Sequence, residues 1–472
     1  MNFKNIFQSF KNKDMLKRVA VIFGIIVAYR LLAHIPVPLG DASTFKDAIS
    51  NLIAQSDLGG FLNLISGGGL TAFSIILVGL GPYITASIVI QLLTKAIPSM
   101  EELSRDGETG RRKINQWTRI VAVPLSVIQS IAYIFILYQS VVSAGTAMSF
   151  EPTTSDWILS VLAMTAGSTI LMWFGELISE QGIGNGISMM IFASIISQLP
   201  TTFATLGTAL FDTSNGTLQL FGWFELPVNP AIFWIVLGFA VAMLIVIYFL
   251  VKINEAQRII TINYAKRVHG NSSYGGIKSI LPIKLIAAGV IPVIFAMAFL
   301  SLPSLIGQVI TSADPGNSFG TTLSSLFSAP SASTYSTMYP DGITAQWFFY
   351  PTVYFLLVVL FTYFYTSIIF NTKEIADNLQ KQGGFIEGVR PGLQTADYLS
   401  RTINRLNLFG AIALGLIAML PFITDYIFIV TTGAPIGLSL SGTGLLIIVT
   451  VALENLRQLN SRALMVTYDE FE

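Results

Sequence analysis

Few residues in this 472-residue chain are equipped for covalent chemistry, and their spacing excludes most of it. There are no cysteines, so disulfides, thiolate metal sites and cysteine nucleophiles drop out together. The two histidines, His34 and His269, lie too far apart in sequence to suggest a metal cluster. An enzyme embedded in a bilayer would want His, Asp or a nucleophile pair at membrane depth. His34 has no evident partner of that kind. A proton- or sodium-coupled secondary transporter would carry ionisable groups inside its spans, yet Glu176, Glu180 and Glu454 fall in short turns or near span ends. The stretch "GIGNG", Gly182–Gly186, is similar to a nucleotide fingerprint, but it follows no strand and sits between two apolar segments. The residues that do recur at useful spacing are apolar. Ile84 with Ile88, and Ile187 with Ile191, stand four apart and so share a helical face. The expectation is a protein with no catalytic residues, no metal and no cofactor.

The elements that must carry these residues are membrane spans. Hydrophobic residues make up 53% of the chain and charged residues only 11%, against roughly 25% charged in a soluble domain. Most of its surface therefore faces something other than water. The 26 basic and 26 acidic residues cancel, so net charge says nothing of partners. About 20 apolar residues make a helical crossing. Ten segments qualify: 19–35, 70–97, 120–142, 157–174, 187–206, 231–251, 285–306, 347–370, 408–427 and 441–456. The basic N-terminus lacks a small-residue cleavage site after the first apolar run, which reads as a retained span. With ten spans, 24 of the 26 Lys and Arg residues fall on one side, and only Arg30 and Lys46 lie towards the other. The positive-inside rule then makes both termini cytoplasmic.

Five spans precede the outer loop 207–230 and five follow, so the second half enters from the opposite side, the layout of an inverted repeat. The expected organisation is a cytoplasmic N-terminus (1–18), an N-terminal half (19–206), the outer hinge loop 207–230, a C-terminal half (231–456) and a cytoplasmic tail (457–472). The outer loops 207–230, 307–345 and 428–440 are rich in Gly, Ser, Thr and Pro and read as solvated connections. Two long cytoplasmic excursions, 252–284 and 371–407, stand out. The second carries a "GGFIEGVRPG" tip whose Gly and Pro demand turns. Charge alone would make both topology-setting loops; their length and turn chemistry favour docking surfaces. The pair Lys266–Arg267 could meet nucleic-acid phosphates.

One stretch does not fit a plain crossing. "NLISGGGLTAFSIILVGLGPYITASIVIQLLTKAIP", Asn63–Pro98, opens with an apolar fragment too short to span, broken by Gly67, Gly68 and Gly69 before the second span begins.

Several motifs resemble one family. "LGPYITASIVIQLL" in the second span is similar to the "MPYISASIIMQLL" pattern of the SecY/Sec61-alpha family, bacterial type. "GETGRRKINQWTRI", "GELISEQGIGNGISMMIFASII", "NYAKRVHG", "LPIKLIAAGVIPVIFA", "ADNLQKQGGFIEGVRPGLQTADYL" and "GTGLLIIVTVALENLRQ" follow in that family's order over essentially the whole chain. The resemblance implies an all-α polytopic membrane protein, with ten transmembrane helices in two inverted halves around an hourglass pore. It implies a protein-conducting channel for unfolded secretory polypeptides, with lateral release of apolar segments into lipid. An accessory translocon paralogue with restricted cargo is the nearest alternative.

Carried over by position, the resemblance makes Ile84, Ile88, Ile187, Ile191, Ile294 and Ile447 a pore ring, although an isoleucine in a span, taken alone, is a packing or lipid-facing residue. It makes the segment around 60–70 a re-entrant plug, with Phe61, Leu62, Leu64 and Ile65 apolar and Gly67–Gly69 as hinge. It places a lateral gate at Pro82, Gln91, Ile286 and Pro292, the two prolines weakening their helices locally. Where many members have Asn in that gate, this chain has Ile286, which suggests a more hydrophobic gate. Lys266, Arg267 and Arg390 match positions tied to ribosome and motor docking. The implied partners are small SecE-like and SecG-like membrane subunits, a SecA-type motor ATPase, the ribosome, signal-sequence-bearing chains and the lipid bilayer of the cytoplasmic membrane.

Overall fold

The computed structural model describes residues 13–38, 66–143, 153–211, 218–220, 224–264, 267–269, 272–274, 278–286, 288–328, 346–432 and 439–469. The chain is mainly helical. Its elements are α1 (Lys13–Leu32), α2 (Gly81–Ala96), α3 (Pro98–Arg105), α4 (Gly107–Ser143), α5 (Thr154–Glu180), α6 (Gly186–Leu210), β1 (Leu218–Leu220), β2 (Phe224–Leu226), α7 (Pro230–Glu255), β3 (Gln257–Tyr264), β4 (Arg267–His269), β5 (Ser272–Tyr274), β6 (Lys278–Lys284), α8 (Ile291–Ala313), α9 (Ser318–Phe327), α10 (Gln346–Ile369), α11 (Thr372–Lys381), β7 (Gly384–Ile386), α12 (Leu393–Thr432) and α13 (Ser439–Asp469). Every apolar segment expected to cross a membrane overlaps one of these helices. By length and apolarity alone, six helices among the described residues suffice to cross, and seven if the bent pair α2–α3 counts as one span.

The chain divides into two compact units, Met1–Val241 with Met297–Pro351 and Pro421–Glu472, and Ala242–Ala296 with Thr352–Leu420. In the first unit, α4 packs against α2 and α5, and α5 against α6. The helix starts follow local chemistry. Thr153 and Asp156 form a reciprocal capping box at α5. Asn185 accepts from the amides of Ile187 (3.0 Å) and Ser188 (3.4 Å) at the start of α6.

The second expected span is not one helix. Its helix begins only at Gly81, and residues 66–80 form successive turns. Sixteen residues in α2 reach about 24 Å, short of the ~30 Å hydrocarbon core, and the α2–α3 junction bends by 107°. Non-helical backbone inside a membrane is tolerated only when protein buries it, and most of this stretch is buried. Leu70, Phe73, Ile76, Leu77, Val78 and Leu80 are buried, and Leu70, Phe73, Leu77 and Val78 pack in one cluster with Ile134, Leu137, Met164 and Leu305. The amides of Ala72, Phe73, Ser74, Leu77 and Gly79 bond within the turns. Ile75 N–H donates to Ile35 O (3.0 Å) and Val37 N–H to Phe73 O (2.8 Å), which ties the turns to the end of α1. Phe73 has φ 46°, costly for a non-glycine residue, and these two flanking bonds hold it there.

The outer region 307–345 also differs from the plain solvated connection its composition suggests. It contains α9, capped by Asn317 and packed so closely on α8 that a Cβ on Gly307 would lie 2.5 Å from Ser324 N.

In the second unit, the two long loop excursions, 252–284 and 371–407, share one sheet. β3 pairs antiparallel with β6 from its own loop and with β7 from the "GGFIEGVRPG" tip of the other. Ile260, Ile283, Ile386, Leu399 and Ile403 form a core beneath this sheet. Below it, Thr366 Oγ1 on α10 donates to Asn407 Oδ1 on α12 at 2.9 Å.

Candidate functional site

The isoleucines expected to form the ring occupy four helices. Ile84 and Ile88 lie on the buried face of α2, Ile191 on α6 and Ile447 on α13, with 2–5% of each exposed. Ile187, one turn before Ile191, is half-buried, and the position of a Gly175 Cβ would be 3.3 Å from its Cγ1. Ile294, in the first turn of α8, is also buried; it belongs to the second unit. In the first unit the structure brings α13 against α6, the helices of Ile447 and Ile191.

The "GIGNG" turn is what seats those two helices. Gly184 has φ 92°, and a Cβ there would lie 2.2 Å from Asn455 Oδ1 on α13. Gly186 comes still closer to α5, its would-be Cβ 1.7 Å from Gly175 O. Gln181 O, at the same turn, accepts from Arg18 Nη1 of α1 at 2.8 Å. These glycines allow close helix packing, a use of glycine unrelated to phosphate binding.

The gate residues are placed differently from expectation in one respect. Pro82 and Pro292 stand at the second position of α2 and α8. There a missing N–H costs no helical bond, so neither proline weakens a span interior. Gln91 Nε2 donates to Ser87 Oγ at 2.9 Å, and its Oε1 has no partner among the described residues. Ile286 is buried in the connection before α8, with its Cγ1 over Gly410 of α12.

Of the docking residues, Arg267 sits in β4, opposite Tyr274 of β5. Arg390 is exposed at the edge of the shared sheet. Its loop is held by Thr395 Oγ1, which donates to Arg390 O at 2.9 Å, and by Gly388 and Gly392, both at positive φ. Lys266 and the plug residues Phe61, Leu62, Leu64 and Ile65 lie outside the described residues.

The glycine corner at Ser66–Gly67 is gripped from two sides. Tyr29 Oη of α1 donates to Ser66 O at 2.9 Å, and Arg30 Nη1 donates to Gly67 O at 2.6 Å. Arg30 Nη1 also donates to Ser197 Oγ of α6 at 3.0 Å. Sequence reasoning noted Arg30 only as a basic residue off the common side. Its signal was there nonetheless, a guanidinium inside an apolar run that must find acceptors, with Ser194 and Ser197 one turn apart to help supply them.

Among the described residues no group of three or more His, Asp or Glu side chains could hold a metal ion. Of the six isoleucines, Ile84, Ile88, Ile191, Ile294 and Ile447 are buried and Ile187 is half-buried.

The family model described as SecY matches residues 74–456. The protein translocase subunit SecY of Streptomyces scabiei is 36% identical over 98% of both chains. Among solved structures, the fold is similar to a protein-conducting channel (TM-score 0.62, 20% identity, 93% of this chain and 90% of that one). It is also similar to a SecY structure whose plug domain stabilises the closed state (TM-score 0.60, 19% identity, 94% and 90%). Sec61 in a canine ribosome–channel complex is a third (TM-score 0.59, 19% identity, 93% and 90%). With the family model matching most of its length and a relative 36% identical over 98% of both chains, the chain belongs to the SecY family.

Proposed function

We propose that the chain is the channel-forming subunit of a protein translocase. Unfolded secretory chains cross between its two inverted halves, and hydrophobic segments leave sideways into lipid. The observation that carries this reading is a family match spanning residues 74–456, joined to a collar whose residues are buried isoleucines. β-Branched side chains are stiff at χ1, and an apolar constriction gates by dewetting. A passing peptide fills such a collar without being recognised by sequence, which suits cargo whose shared property is being unfolded. The segment near 60–70 is the plug, and Pro82, Gln91, Ile286 and Pro292 border the lateral gate.

The chain has no nucleotide-binding motif, so energy comes from partners. A ribosome or a SecA-type motor docks on the two cytoplasmic loops, using Lys266, Arg267 and Arg390. SecE-like and SecG-like subunits complete the complex in the cytoplasmic membrane, with both termini of this chain on the cytoplasmic side.

The absence of cysteines makes a direct test available. A cysteine is placed at Ile191 and a secretory chain with one cysteine is arrested midway through export. A disulfide between them is expected, with none from cysteines at lipid-facing positions of α6. An engaged export intermediate that fails to react at Ile191 refutes the collar as the path.

A further inference from the structure

The Ser66–Gly67 corner is more tightly held than a hinge requires. Two consecutive carbonyls, Ser66 O and Gly67 O, each accept from a residue of α1, Tyr29 and Arg30 respectively. Ser197 of α6 accepts from Arg30 and shares its own hydroxyl proton between Ser194 O (2.7 Å) and Gly67 O (3.4 Å). Ser66 is fully buried, as is Tyr29. Gly67 has φ 63°, and a Cβ there would stand 2.1 Å from Tyr29 Oη and 3.1 Å from Ser194 Cβ. This glycine is needed for close approach as much as for backbone freedom.

The arginine carries particular weight. A guanidinium within a span is expensive unless it is neutralised or richly hydrogen-bonded. Among the described residues no carboxylate pairs with Arg30, and its partners are one carbonyl and one hydroxyl. A bond from a charged donor to a carbonyl is shorter and stronger than a neutral one, in keeping with 2.6 Å to Gly67 O. On the far side of the corner, Gly69 N–H donates to the clamped Ser66 O at 3.3 Å, and Ala72 N–H to Gly68 O (3.1 Å) and Ser74 N–H to Gly69 O (2.8 Å) continue the turns leading to α2.

We propose that Arg30, with Tyr29 and Ser197, is a positioning residue that clamps the Ser66–Gly67 corner to the first and fifth spans. The Ser66–Gly67 corner is then a fixed point of the resting channel rather than a hinge. This rests on the reading of the preceding segment as a plug. The clamp couples plug seating to α1 and α6, so loosening it favours the unsealed channel without touching the collar.

The test uses the complete translocase complex reconstituted in lipid vesicles, with Arg30→Met, Arg30→Lys, Ser197→Ala and a deletion of residues 60–65. Hydrogen exchange of the amides between Gly69 and Gly79 and the ion conductance of the idle channel are both read. Loss of bonds to a charged group predicts roughly 10- to 100-fold faster exchange in Arg30→Met, with α4 and α5 amides unchanged and conductance raised towards that of the deletion. Arg30→Lys keeps one charged donor and should recover part of both signals; Ser197→Ala should give a smaller shift in the same direction. Wild-type exchange and conductance in a folded Arg30→Met protein overturn the clamp. Should Arg30→Met fail to fold, wild-type behaviour of Ser197→Ala overturns it instead. A deletion that does not raise conductance overturns the plug reading, while the exchange data still decide the clamp.

Discussion

Gly167→Ala tests how rigidly the turns before α2 are packed against α5. Gly167 lies on α5 against these turns, and an added Cβ would fall 2.3 Å from Ile75 O, 2.8 Å from Ile75 C and 3.3 Å from Ile76 N. Ordinary contact begins at 3.4 Å, so the backbone at Ile75 must retreat by about 1 Å, taking tight packing as the limit. It has nowhere to go, because Ile76 and Leu77 behind it have no exposed surface and Ile75 N–H is engaged with Ile35 O. Overpacking of this kind costs about 1–3 kcal/mol, and stretching the Ile75 bond adds about 1 kcal/mol. The protein should melt several degrees lower, and exchange between Ser66 and Leu80 should rise. Gly238→Ala is the matched control. That glycine is also mid-helix, in α7, with nothing within 4 Å of its would-be Cβ, so helix propensity should stabilise by up to about 1 kcal/mol. Opposite signs for the same substitution are expected in detergent thermal unfolding and hydrogen exchange. Equal effects at the two sites would refute the packing argument.

Three further outcomes follow from the geometry. Ile386→Asp puts a carboxylate into the core formed with Ile260, Ile283, Leu399 and Ile403; a cost of about 3 kcal/mol or more should free β7 from β3, seen as lost protection in 257–264 and weaker binding of ribosomes or motor. Arg119→Gln removes the 2.5 Å pair with Glu176, but the arginine side chain is 49% exposed, so the stability change should stay below about 1 kcal/mol in the same melting assay. Ile286→Asn buries an amide beside Gly410 and should cost about 1–3 kcal/mol. If Ile286 borders the gate, export of weakly hydrophobic signals should change as well, and unchanged discrimination removes it from the gate.

The apolar segments were legible in the residues, because hydrocarbon forces every crossing to be long, apolar and self-bonded. The buried face of α2 was legible from the spacing of Ile84 and Ile88, since four residues make about one helical turn. The same rule misled at residues 70–80. Those residues are apolar enough for a span, but whether they coil into a helix depends on partners distant in sequence, Ile35, Val37 and Gly167. Pro82 and Pro292 were read as defects within helices, and they turned out to begin them; a proline's effect depends on a boundary that apolarity does not mark.

The sequence by itself determined composition, where the apolar segments lie and the absence of cysteine chemistry, all of which are local or additive properties of residues. Tertiary structure decided the rest. Only the fold joins β3 to β7, 120 and more residues away, to make one sheet of two loops. Only the fold shows Arg30 reaching Gly67 and Ser197. Hydrogen bonds between distant segments leave no periodic trace in a sequence, because their geometry is set by how whole helices pack and not by which residues are neighbours along the chain.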